Sequence, residues 1–123
     1  MFQNSRFYSR QEIRDALGGG SVQSYLPTID GCVVAGCFTT NLNPDAPYRI
    51  FPGDGPIIRS SAHIVASQRE PFPVFLKRGN KQFEFIGNFR GAGIDENPNA
   101  IQQANQRSNR TDVTAILTLA RVD

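Results

Sequence analysis

The chain has 123 residues, 13 of them basic and 11 acidic, for a formal net charge of +2. That length supports one domain, 1–123, with an ordinary hydrophobic core. An apolar share of 39%, a charged share of 20%, eleven glycines and eight prolines exclude a collagen, a long coiled coil and a fully disordered chain.

The first element is a helix opened by Ser9-Arg10-Gln11-Glu12, a capping box with Ser9 as N-cap and Glu12 at N3. Tyr8 and Ile13 supply a hydrophobic staple, and Gly18 stops the helix. A short strand is expected over 21–26, ended by Pro27. The apolar run Cys32 to Phe38 reads as one buried central strand. Residues 41–55 form a loop rich in turn formers, with Tyr48 to Phe51 as a short strand within it. There Asn43-Pro44-Asp45 makes a rigid turn, with Asp45 capping backbone N–H groups.

Asp54-Gly55-Pro56 starts a second helix that ends near Gln68, with Ile58, Ala62 and Val65 on one face. Phe72 to Lys77 and Gln82 to Arg90 then form a hairpin with Gly79-Asn80 at the centre of its turn. The second arm alternates, which places Phe83, Phe85 and Phe89 on one buried face and leaves the other face wet. The polar stretch 91–111 is read either as a mobile loop or as a short helix over 98–106. A last strand lies within 112–122 and shares Val113, Ala115, Leu117 and Leu119 on one face. Helices and strands do not alternate regularly, so the expected class is α+β: a small curved mixed sheet or barrel with two or three flanking helices.

Arginine outnumbers lysine eleven to two, and its planar fork suits phosphate and base edges. Three cations, Lys77, Arg78 and Lys81, surround the hairpin tip and are placed to grip phosphates. Tyr25 is a half-buried core aromatic or a stacking surface. Asn43 and Asp45 offer donors and acceptors to a pocket wall.

Enzyme motifs are not found. His63 is the single histidine; Ser60 and Ser61 precede it without a Gly-x-Ser-x-Gly elbow. No P-loop occurs, and Gly91-Ala92-Gly93 is too short for a dinucleotide fingerprint. The carboxylates Asp45, Asp54 and Glu84 show no metal-binding spacing, and Cys32 and Cys37 read as small buried hydrophobes. No cofactor or metal is expected. No run of about 18 apolar residues is present, so no membrane-spanning helix is expected. The polar start carries no apolar signal stretch, so the expected location is cytoplasmic.

Five segments together carry a resemblance: Tyr25-Leu26-Pro27, Val33 to Phe38, Asn43 to Pro47, Pro73 to Arg78, and Phe83 to Arg90. The chain resembles a family of largely uncharacterised bacterial and fungal domains, some linked to HNH-type restriction nucleases. It is also similar to the SRA-like and other PUA-like barrels, in which a curved sheet reads a flipped or modified base. The last segment carries Phe83, Phe85 and Phe89 where Trp or Tyr is more usual, and no nuclease is attached. The resemblance implies a non-catalytic module that reads DNA or RNA, alone or with a nuclease partner. Lys77, Arg78, Lys81 and Arg90 would then contact phosphates, and Tyr25, Asn43 and Asp45 would line the pocket. The alternative is a protein-interaction or small-ligand domain that uses the amide-rich region 97–109 as its contact surface.

Overall fold

The computed structural model describes residues 2–18 and 24–123. Helix α1 (Arg10–Leu17) has its full capping box: Glu12 N–H donates to Ser9 Oγ at 3.1 Å and Ser9 N–H donates to Glu12 Oε1 at 2.9 Å. Gly18 ends it in the left-handed region at φ 78°. Helix α2 (Pro56–Ser67) begins at the proline and is capped by Gln68. Helix α3 (Pro98–Ser108) opens on an Asn97 side-chain cap and closes on a left-handed Asn109.

Strands β1 (Phe7–Tyr8), β4 (Gly36–Phe38), β5 (Arg49–Ile50), β6 (Phe72–Gly79), β7 (Gln82–Asp95) and β8 (Ile116–Arg121) form one mixed sheet in the order β4-β6-β7-β8-β5, with β1 also on β7. Only β4 and β6 run parallel; the other pairs are antiparallel. The class is α+β. Among the described residues the sheet is open, ending in β4 and β5, so the barrel form of the expectation is corrected to a mixed sheet. No helix among the described residues is long and apolar enough to cross a membrane.

The run Cys32 to Phe38 is not one strand. Strand β2 (Thr28–Ile29) pairs with β3 (Cys32–Val33) in a separate hairpin, and β4 begins three residues later. The hairpin turn is Asp30-Gly31 with φ 51° and 77°, both in the left-handed region that a two-residue turn of this kind requires. Of the strand expected over 21–26, residues 21–23 lie outside the described residues, and Ser24 to Leu26 are not strand. The β2–β3 hairpin is held to the end of α2 by Gln68. Its side chain accepts from Val33 N–H at 2.7 Å and donates to Val33 C=O at 2.9 Å. The loop-or-helix segment 91–111 continues β7 to Asp95 and then forms α3.

Each face of the sheet carries a buried cluster. On one face Phe38, Phe72, Val74, Leu76, Phe89, Leu117 and Leu119 pack with Ala62 and Val65 of α2. On the other, Phe75, Phe83, Phe85 and Cys37 pack with Ile13 of α1. Further along that second face α3 covers Phe51 and Val113 through Ala104, with Ile116 half-buried beside them. Phe83 and Phe85 are therefore not on the same face as Phe89, contrary to the alternation read from sequence. The reason is a bulge: Val74 pairs with Gly87 but Phe75 pairs with Phe85, so Ile86 is an extra residue. A bulge inverts the parity of everything that follows it.

Candidate functional site

The hairpin tip lies one residue further on than expected. Gly79 pairs with Gln82, so the turn is Asn80-Lys81, with Lys81 in the left-handed region at φ 58°. Arg78 is an extra residue on β6 and its Nε donates to Glu84 Oε1 at 2.8 Å. Glu84 is level with Leu76, two residues from Arg78, so the pair is a diagonal cross-strand contact. Arg78 is thus matched by a carboxylate, and Lys77 and Lys81 are exposed cations at the tip.

Lys77 is level with Phe83 and so belongs to the α1 face of the sheet. Sequence reasoning passed over Arg10, which lies above the Phe83 ring at 5.6 Å and donates to the Ser24 carbonyl. A basic residue at the first helical position after a capping Ser was the available signal. Arg90 is nine residues along β7 from Lys81, on the order of 25–30 Å at ~3.3 Å per residue. The bulge at Ile86 puts it on the same α1 face as Lys77, although the two numbers differ in parity. Its partner across the ladder is Ala120.

The three pocket candidates are engaged within the fold. The Tyr25 hydroxyl donates to the Ile58 carbonyl at 2.6 Å, and its ring sits edge-on to Phe38 at 6.3 Å. Burial raises the Tyr25 phenol above its ordinary range. Asn43 is buried, accepts from Phe51 N–H at 2.8 Å and donates to the Thr39 carbonyl at 3.2 Å. Sequence predicts that the Asp45 carboxylate caps backbone N–H groups, but among the described residues it does not. That group accepts from Arg107 at 3.0 Å, while the Asp45 carbonyl takes the N–H groups of Tyr48 and Arg49.

Replacing Asn43 with Ala removes both bonds and leaves the buried Phe51 N–H without a partner. The expected loss is about 2 kcal/mol of stability, read by urea or thermal unfolding. An unchanged midpoint would show that the loop 41–52 does not depend on this side chain.

Two surface depressions are lined elsewhere. One, of about 540 Å³, lies along α3 between Pro98, Gln102, Gln106 and Arg110. The other, of about 380 Å³, lies on the α1 face between Phe2, Leu17, Pro73, Phe85, Asn88 and Asp123. Asp123 closes its end by accepting from Asn88 N–H at 2.9 Å and Asn88 Nδ2 at 2.7 Å.

Among the described residues no three His, Cys, Asp or Glu side chains gather. Glu84 is bound to Arg78, and His63 Nε2 lies 3.5 Å from Glu96 on the surface of α2. Both cysteines are free, and burial pushes the Cys37 thiol up to about 12, which leaves it unreactive near neutral pH. Comparison with protein-family models, curated proteins and solved structures finds no match to this chain.

Proposed function

We propose that the chain is a non-catalytic nucleic-acid-binding module that holds its ligand by the phosphates along the α1 face of the sheet. The observation that carries this reading is the bulge at Ile86, which turns Arg90 to the face that already bears Lys77. Two cations that simple alternation would set on opposite faces thereby share one. With Lys81 at the tip they span a length that several successive phosphates would cover. Phosphate contacts of this kind position a duplex or strand without chemistry. The likeness to base-reading sheets and the recognition of a modified base belong to the same proposal; the closed barrel does not. The depression beside Asn88, on the same face, supports them better than Tyr25, Asn43 or Asp45 does.

The test is binding to plain and modified DNA and to RNA at two salt concentrations. Expected is an affinity that falls steeply with salt, and a Lys77→Ala, Lys81→Ala double variant whose log–log salt slope is shallower by about 2. Wild-type affinity and slope in that variant would remove the tip from the interface. No binding by the natural chain at low salt would remove the reading altogether.

A second reading has its own observation. The depression on α3 is bordered by Gln102, Gln106 and Asn109, side chains that suit an adaptable polar contact with a protein or small ligand. Capture of such a partner with no dependence on salt would favour it.

A further inference from the structure

On the α1 face the ladder register sets a strip of sheet between the α1 cluster and the α3 cluster, with Arg49 and Arg90 exposed and Thr118 and Ala120 half-buried. Arg90 is level with Ala120, and Thr118, two residues along β8, is level with Arg49 on β5. Residues directly opposite or two apart share a face, so Arg90, Ala120, Thr118 and Arg49 form one row. Beyond Arg49 the same face runs into Phe51 and Ile116, which α3 covers. At the other end it runs through Asn88 into Phe85, beneath the α1 cluster.

Both arginines are exposed, and the residues between them are small. Among the described residues Arg90 donates to the neighbouring Gly91 carbonyl at 3.3 Å. Arg49 hangs from the turn whose Asp45 carboxylate is already matched by Arg107. The strip is thus a short flat floor with a guanidinium at each end and no carboxylate between them in the row. Two strand spacings of ~4.8 Å and an offset of two residues put the arginine Cα atoms about 12 Å apart. One strand of duplex DNA carries a charge per ~3.4 Å of axis, so about three or four phosphates cover that gap.

The strip also argues against a stacked single strand. Among the described residues the exposed aromatics are Phe7 and Tyr48. Phe7 is level with Glu84, on the α2 face, and Tyr48 packs on Phe89, also of that face. Single-strand binding without sequence preference relies on rings beneath the bases, and this floor offers Thr118 and Ala120 instead.

We infer that the row Arg49–Thr118–Ala120–Arg90 is a phosphate-contact surface for duplex nucleic acid, with Arg49 a contact residue equal in weight to Arg90. The inference rests on the nucleic-acid reading above. It is tested by anisotropy of a labelled duplex of about 20 base pairs, and of its single strand, with the full chain carrying Arg49→Ala or Arg90→Ala. Each variant is expected to bind the duplex roughly three- to tenfold more weakly, with a salt slope shallower by about 1 and an unchanged melting temperature.

If Arg49→Ala binds as the natural chain does while the Lys77, Lys81 double variant loses affinity, the strip is not a contact and the tip reading survives. If the single strand binds more tightly than the duplex, the assignment to duplex fails. If the natural chain binds neither, both this inference and the reading beneath it fall.

Discussion

A Gly91→Ala chain is expected to be destabilised by about 3 kcal/mol, with a melting temperature lower by roughly 10 °C. Gly91 is the point at which β7 passes under α2. A Cβ built there would lie 2.1 Å from the Val65 carbonyl oxygen and 2.8 Å from its carbonyl carbon. The obstacle is helix backbone, which cannot rotate aside as a side chain would. The helix has to lift, and Ala62 and Val65, both buried against the sheet, lose their contacts. Thermal unfolding of the variant measures the effect. A Gly93→Ala chain is the useful companion: nothing lies within 4 Å of that Cβ, so only its left-handed φ of 120° opposes the change. If Gly91→Ala melts with the natural chain, α2 does not sit on β7 as described.

Phe75→Ala is expected to cost about 3–5 kcal/mol, a large part of the stability of a domain this size. Phe75 is fully buried at the centre of the α1 face. Its ring meets Phe2 edge-on at 4.9 Å, Phe85 at 5.5 Å and Tyr8 at 6.0 Å. Truncation removes three aromatic contacts at once and leaves a cavity that Ile13, Ala35 and Cys37, the smaller members of that cluster, cannot refill. Urea titration would show the loss as a lower midpoint at unchanged slope. A shift below about 1 kcal/mol would mean that the aromatic cluster collapses freely around the gap.

The helices were readable because their signals are local. Ser9 with Glu12, and Pro56, act within one turn of where they stand, whereas α3 was left open between loop and helix although Asn97 caps it. The hairpin β6–β7 was readable for a similar reason, but its turn was misplaced by one residue. That single residue decides which cations are free. Once Gly79 pairs with Gln82, Arg78 is extra and falls diagonal to Glu84.

The bulge at Ile86 could not be read from alternation. Phe83, Phe85 and Phe89 look like one stripe whether the sheet is buried on one side or on two, and only the packing of α1 and α2 on opposite faces separates them. The β2–β3 hairpin was signalled by Asp30-Gly31, a strong two-residue turn pair, but the apolar run after it hid the signal. The role of Asn43 rests on bonds to Thr39 and to Phe51, eight residues away, which no local pattern encodes. The strip between Arg49 and Arg90 depends on the register of three strands together, so it becomes visible only once β5, β8 and β7 are paired.

The one parallel pair, β4 with β6, has a kinetic consequence. The β6–β7 hairpin closes across Asn80 and Lys81, whereas β4 meets β6 only after residues 39–71 have been gathered in, α2 included. The entropy of closing a loop is met before its contacts form, and non-local pairings of this kind set the pace of folding. The hairpin is therefore the natural early structure, and β4 docks late onto its outer edge. Until it does, that edge of β6 presents unpaired N–H and C=O groups to any other extended chain. The interval before β4 arrives, more than any feature of the finished fold, is when this chain is open to aggregation.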